Sequence, residues 1–258
     1  MSHAYSLIAP EYPKFQSEIM HFTSKLEQAV LIRRYKRFLA DVKLPDGSTL
    51  TIHCPNSGSM RSCSEPGNLV CFSQSDNPKR KYPHTLEMIR VGDTWVGINT
   101  SRTNTIVAEA ILKGEIAEIK GVDELKREVK TSEGSRLDIM LTAGNQKTYI
   151  EVKNCSLVED GYAQFPDAVT ARGTKHLNEL IRLVQDGHNG IIFFLIQRLD
   201  ADRFKPAAEI DRLYAATLHT AANRGVLVLA YQASVTPESI NVIKRLPVIL
   251  DKLPRISG

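Results

Sequence analysis

No stretch of this 258-residue chain approaches the roughly 18 consecutive apolar residues that a membrane-crossing helix needs. The longest apolar run is Gly190 to Ile196. The N-terminus lacks a basic region followed by an apolar core and a small-residue cleavage site, so no secretory signal is legible and a soluble, cytoplasmic protein is expected. Cysteine is sparse: Cys54, Cys63, Cys71 and Cys155 lie 9, 8 and 84 residues apart. None forms a C-x-x-C pair, which removes the usual structural zinc spacing and predicts reduced, buried thiols. Neither sign of charge dominates, with 33 Lys and Arg against 29 Asp and Glu. No internal repeat or low-complexity segment is present.

What is there is ordinary globular composition, 42% apolar and 24% charged, in a length that suits two domains or one large one. The charge is unevenly spread. Residues 1–102 hold 13 basic and 9 acidic side chains, whereas residues 103–258 hold 20 of each. A surplus confined to one part of a chain hints at a polyanionic partner.

Residues 1–19 carry Pro10 and Pro13 and no sustained period, and read as a poorly ordered arm; Met20 would serve as an alternative start. Residues 20–102 read as a barrel. A strand-like pattern from Ala29 alternates through Tyr35 to Val42, Asp46-Gly47 is a hairpin signal, and Leu50 and Ile52 resume the period of two. Leu69 to Phe72, Leu86 to Arg90 and Trp95 to Ile98 follow between Gly and Pro turns. Five short strands in this span predict a five-stranded OB-like barrel. Residues 103–250 change period. Ile106, Val107, Ala110, Ile111 and Ile116 have helical spacing, closed by Gly114 or Gly121. Strands are then predicted at Leu125–Val129, Leu137–Leu141 and Thr148–Val152, a helix over Asp167–Gln185, and a doubly buried strand at Gly190–Ile196. A helix over Tyr214–Ala222 and a strand over Val226–Tyr231 complete an α/β mixed-sheet domain of order αβββαβαβ. Residues 251–258 form a tail. A helix-turn-helix over Asp211–Ala230 is disfavoured, because Val226 to Leu229 reads as a strand.

The chemistry concentrates in Ser135-Arg136-Leu137-Asp138 and Glu151-Val152-Lys153. The period of two puts Glu151 and Lys153 on one face of a strand. If this strand pairs with the previous one through the Gly144-Asn145 turn, Asp138 lies beside Glu151. Two such carboxylates raise each other's pKa unless a cation intervenes. Lys153 supplies part of that charge and a hard divalent ion, Mg²⁺ or Mn²⁺, would supply more; such an ion activates water and offsets charge on phosphate. The plain alternative is a salt bridge on a solvated edge strand. Two runs, Arg33-Arg34-Tyr35-Lys36-Arg37 and Lys79-Arg80-Lys81-Tyr82, mix cations with aromatics as phosphate-binding surfaces do, although short basic runs also serve solubility. Arg172, Lys175 and His176 share one helix face and could hold a phosphate backbone.

Asp138, twelve intervening residues, then Glu-x-Lys, within the αβββαβ order, resembles the PD-(D/E)XK nuclease superfamily. Leu137-Asp138 stands where that pattern has Pro-Asp. The resemblance implies Asp138 and Glu151 as metal ligands, Lys153 as the group that orients water or contacts phosphate, and a helix glutamate, here Glu109, as a further ligand; Glu115 and Glu118 compete for that role.

A narrower resemblance rests on Arg34 to Val42, His53-Cys54-Pro55-Asn56-Ser57-Gly58, Asn77 to Tyr82, Ser135-Arg136-Leu137-Asp138, Glu151-Val152-Lys153-Asn154, Phe165-Pro166-Asp167-Ala168-Val169-Thr170, Arg172-Gly173 and Lys175-His176-Leu177. In this order, from about residue 21 to residue 250, they resemble the sugar fermentation stimulation protein A family. That resemblance implies an OB-like domain before a nuclease-like domain, sequence-independent DNA binding, and a regulatory link to maltose metabolism. The functional expectation is therefore a DNA-binding protein with RNA left open as a partner; the alternative is an active Mg²⁺-dependent nuclease. Oligomeric state is not legible.

Overall fold

The computed structural model describes residues 20–250, and the predicted arm and tail lie outside the described residues. Strands β1 (Met20–His21), β2 (Glu27–Tyr35), β3 (Leu39–Lys43), β4 (Thr49–His53), β5 (Leu69–Gln74), β6 (His84–Val91) and β7 (Thr94–Gly97) come first. Helix α1 (Thr103–Leu112) leads into β8 (Glu124–Ser132), β9 (Ser135–Ala143) and β10 (Gln146–Cys155). After a small hairpin, β11 (Leu157–Glu159) and β12 (Tyr162–Phe165), come α2 (Ala171–Gln185), β13 (Asn189–Ile196), β14 (Arg203–Pro206), α3 (Arg212–Asn223), β15 (Leu227–Val235) and β16 (Ser239–Arg245).

Strands β2 to β6 form the closed five-stranded barrel, sealed by the β4–β6 pairing at His53 and Thr85, and β7 extends it beside β6. Alternating residues such as Leu31, Val42, Ile52, Val70, Phe72 and Leu86 fill its interior. The count of five holds, but with different members. The alternation running through Tyr35 to Val42 looks like one strand in sequence, whereas the chain reverses between Tyr35 and Leu39, with Lys36 and Arg37 at positive φ. Arg34 makes this turn possible by donating to the Arg37 carbonyl. Met20 also departs from expectation, because β1 pairs with β16 at the edge of the second sheet and not with the barrel.

That second sheet has the order β1-β16-β15-β13-β10-β9-β8, with β10, β13 and β15 parallel and the flanking strands antiparallel. It is the α/β mixed sheet, covered on one face by α1 and on the other by α2 and α3. β13, buried from Gly190 to Ile196, separates the two apolar layers, which explains its unbroken hydrophobic run. Helix α1 stops at Leu112, with Gly114 at positive φ behind it. Helix α2 begins at Ala171 and not near Asp167. Thr170 caps it by accepting from the Gly173 amide, while Asp167 is committed elsewhere. No helix among the described residues is long and apolar enough to cross a membrane.

The barrel and the mixed sheet meet through an apolar layer that joins Cys71 and Met88 to residues of α1 and the sheet, and through polar contacts. The Gly97 amide donates to the Gln197 carbonyl at 2.9 Å, and a Cβ on Gly97 would fall 2.4 Å from the Gln197 side chain. Arg198, 2% exposed, reaches from β13's end to the Ser62 hydroxyl and the Ser156 carbonyl while pairing with Asp200.

Candidate active site

A cleft of about 430 Å³ opens along this seam. Its floor comes from the paired strands β9 and β10. Their register, Ile150 opposite Ile139 and Tyr149 opposite Met140, would next set Glu151 opposite Asp138. There the ladder ends, because the Asp138 carboxylate replaces a backbone carbonyl: its Oδ2 accepts from the Val152 amide at 2.8 Å. Its Oδ1 accepts from the Asn104 side chain at 2.8 Å. The two carboxylates are thus brought together as their spacing predicted.

Their electrostatics diverge. Burial and then the neighbouring Glu151 charge push the Asp138 carboxyl up to about 6. Burial also raises the Glu151 carboxyl, but His176 and Lys153 outweigh it and the net shift is downward. Lys153 Nζ donates to Glu151 Oε1 at 2.5 Å, and His176 Nδ1 contacts the same oxygen. Glu151 Oε2 is buried and has no hydrogen-bond partner. A buried, ionised oxygen without a donor costs free energy unless a cation or water meets it. The donor set, two carboxylates of hard oxygen, suits Mg²⁺, Mn²⁺ or Ca²⁺. Among the described residues no group of three or more His, Cys, Asp or Glu side chains is gathered as a complete ligand cage.

Glu109 does not line this cleft; α1 instead brings Thr103 and Asn104 to it. Glu109 is five residues, 500° of helix rotation at about 100° each, from Asn104 and so faces elsewhere. Asn104 also lies 3.5 Å from Glu128 on β8, making it the helix residue that meets the acidic strands. The expectation for His176 changes too. It is 5% exposed, with its Nδ1 turned inward against Glu151, unlike the exposed Arg172 and Lys175 on the same helix. Arg172 remains exposed at the cleft rim, and Lys175 is exposed with its Nζ donating to the Gly134 carbonyl at 2.7 Å.

The cleft's other wall is the Asn56-Ser57-Gly58 turn of the barrel, and Arg34 holds it. Its guanidinium donates to the carbonyls of Asn56, Gly58 and Ser59 as well as Arg37. Arg34 is therefore a structural clasp, unlike the exposed Lys36 and Arg37 beside it. Tyr35 is half-buried and donates to Asp41 at 3.1 Å. In the second run Lys79 and Lys81 are exposed, whereas Arg80 turns to Thr85 and lines a separate cavity with Glu87 and Arg102. Facing the Asn56 turn is Asp167, whose carboxylate accepts from the Met60 amide at 3.1 Å. A Cβ on Gly58 would lie 2.4 Å from that carboxylate, so only glycine permits this approach. Asn104, Asp167 and Gly58 were not singled out as site residues by spacing, although the segments Asn56-Ser57-Gly58 and Phe165-Pro166-Asp167 carry turn residues that invite inspection.

Comparison with known proteins shows the same two-part organisation. Residues 32–98 match the SfsA N-terminal OB domain, and residues 101–239 match the Sugar fermentation stimulation protein RE domain. A sugar fermentation stimulation protein homolog of Desulfotalea psychrophila is 59% identical over 232 residues, 90% of this chain and 96% of the relative. One from Pelobacter propionicus is 52% identical over 220 residues, 85% of this chain and 96% of the relative. The solved structure of Pyrococcus furiosus SfsA in complex with Ca²⁺ superimposes with a TM-score of 0.82 at 26% identity, covering 90% of this chain and 98% of that one.

Proposed function

The chain belongs to the sugar fermentation stimulation protein family, and from that membership we propose that it binds DNA without sequence preference and holds a divalent cation between Asp138 and Glu151. The observation that carries the metal site is the bare, buried Glu151 Oε2 beside a second carboxylate whose proton affinity is raised. The Pyrococcus furiosus protein was solved in complex with Ca²⁺, which supports a divalent cation here. Lys36 and Arg37 at the barrel turn, Lys79 and Lys81 beyond it, and Arg172 and Lys175 on α2 supply exposed cations for phosphates. Contacts of that kind position a duplex or strand without reading its bases. RNA offers the same phosphates, so the assay includes it. The regulatory link to maltose metabolism rests on the family resemblance and not on these contacts.

A second reading, hydrolysis of the phosphodiester backbone, is favoured by Lys153. When bound, the metal would activate a water and offset charge on the attacked phosphate. Lys153, 14% exposed at its side chain, is positioned to hold that water or a phosphate oxygen once Glu151 turns to the ion. His176 keeps Glu151 in place from behind.

The test combines calorimetric titration of the full chain with Ca²⁺ and Mg²⁺, and incubation of unrelated DNA and RNA sequences with Mg²⁺ or Mn²⁺. Asp138→Asn and Glu151→Gln should each weaken cation binding at least ten-fold and abolish any cutting. Cation binding that survives both substitutions would place the ion elsewhere. Equal affinity for unrelated sequences is expected, and a strong preference for one would overturn sequence-independent binding.

A further inference from the structure

A second cavity, about 490 Å³, lies between the β8–β9 hairpin and α2, outside the carboxylate cleft. Lys130, Arg136, Arg172 and Lys175 line it together with Ser135 and His176, and none of its lining residues is acidic. Lys130 and Arg136 are directly opposite in the β8–β9 register. Like charges facing each other across an antiparallel pair destabilise the sheet. Two more cations, three residues apart on α2, face the same space. Outside the lining, Glu128 lies 3.8 Å from Arg136 in an exposed pair. Lys175 is held over the hairpin by the Gly134 carbonyl, and the Ser135 hydroxyl is buried without a hydrogen-bond partner.

We propose that this pocket binds a phosphate monoester, the terminal phosphate of a nucleic-acid strand lying in the adjacent cleft. Four cations without a lining carboxylate are relieved of mutual repulsion by one dianion. A monoester carries close to two negative charges near pH 7. An internal phosphodiester carries one, so the pocket distinguishes a strand end from the strand's interior. The location joins the two sites. Arg172 lines both cavities, and the His176 ring lines the pocket while its Nδ1 contacts Glu151. A terminal phosphate seated here would fix the register of the strand over Asp138 and Glu151. The strand-end assignment rests on the DNA-binding reading; the phosphate pocket itself does not.

Calorimetric titration of the full chain with inorganic phosphate, at constant ionic strength, tests the pocket directly. The doubly substituted K130A/R136A chain should bind phosphate at least ten-fold more weakly, with circular dichroism confirming that it folds. Unchanged phosphate binding in that variant, or none in the unsubstituted chain, overturns the pocket. Oligonucleotides of one sequence ending in 5′-phosphate, 3′-phosphate or hydroxyl then test its source. One phosphorylated end should bind about ten-fold more tightly than the hydroxyl form, and this ratio should collapse toward one in K130A/R136A. Tight binding of all three oligonucleotides with equal affinity overturns the strand-end assignment while leaving DNA binding intact. Failure of every oligonucleotide to bind, with phosphate binding still lost in the variant, overturns the DNA reading and leaves the pocket to a small phosphorylated molecule.

Discussion

Asp138 and Glu151 are neighbouring carboxyl groups set to opposite proton affinities by their surroundings. The direction for Asp138 has a consequence for stability. The folded chain keeps that proton to about pH 6, whereas an unfolded aspartate loses it near 3.8, so the native state binds more protons in between. Stability is therefore expected to fall as pH rises across this window, by at most about 3 kcal/mol from this group. Urea unfolding of the metal-free chain between pH 4 and pH 7 measures the slope, and Asp138→Asn should flatten it. The thiols make a second prediction. Burial pushes Cys63 up to about 12 and Cys71 up to about 11, and raises Cys155 well above its ordinary value. These three should resist alkylation by iodoacetamide at pH 8 in the native chain and react after unfolding; fast native labelling at any of them would contradict their burial. Arg34 shows how residue type alone misleads. Its place in a basic run suits phosphate binding, yet four carbonyl oxygens take its donors. Arg34→Ala should cost about 2 kcal/mol in thermal or urea unfolding, and Lys36→Ala next to it less than about 0.5.

At the scale of elements, the floor of the site is a hairpin whose turn, register and face were all legible. Gly144-Asn145 marks the turn, and the period of two fixes which side chains share a face. Helix α2 was legible as a helix ending at Gln185, with Leu177, Leu180 and Ile181 on its buried face, but its start was not: Val169 lies before the helix and is 77% exposed. A cap is a hydrogen bond between particular atoms, and both Asp167 and Thr170 are competent N-caps by type. Asp167 accepts from Met60 across the seam, which leaves Thr170 to cap. Thr170→Ala should therefore lower stability by about 1 kcal/mol, measured by urea unfolding, whereas Asp167→Ala should also loosen the Asn56 turn, visible as faster amide exchange at Met60. Helix α1 gave the opposite lesson. Its existence followed from spacing, but the choice among its polar residues did not. The resemblance implied a helix glutamate, Glu109, whereas it is Asn104 on the first turn of α1 that donates to Asp138.

For the whole molecule, the seam between barrel and mixed sheet decides what the site is. Arg198 stands nearly sealed between them, and removing it takes one donor each from Asp200, Ser62 and Ser156, although the Ser62 hydroxyl still donates to the Ser156 carbonyl. Arg198→Ala should cost roughly 2–3 kcal/mol through lost hydrogen bonds and packing. In calorimetry the unsubstituted chain should unfold in one transition, and the variant should separate into two as the barrel and the sheet lose their common boundary. The surface cations predict a salt dependence for DNA affinity, with the logarithmic slope shrinking by about 0.9 for each phosphate contact removed. Lys36→Ala with Arg37→Ala should therefore reduce both affinity and slope in fluorescence anisotropy. An unchanged slope would remove the barrel turn from the interface.

The sequence by itself determined the two architectures and the acidic pair, because both depend on local periodicity: apolar alternation selects strands, 3.6-residue spacing selects helices, and a two-residue offset sets Glu151 with Lys153. It also determined the surplus of positive charge in the barrel part. Only the tertiary structure decided which charges are available and which are spent, since that depends on partners distant in sequence. Arg34 on the Asn56 turn, Asp167 on Met60, His176 on Glu151 and Asn104 on Asp138 are separated by 22, 107, 25 and 34 residues. No periodicity encodes such pairings. Arg34 on the Asn56 turn is made within the barrel, His176 on Glu151 and Asn104 on Asp138 within the mixed-sheet part, and Asp167 on Met60 joins the two across the cleft.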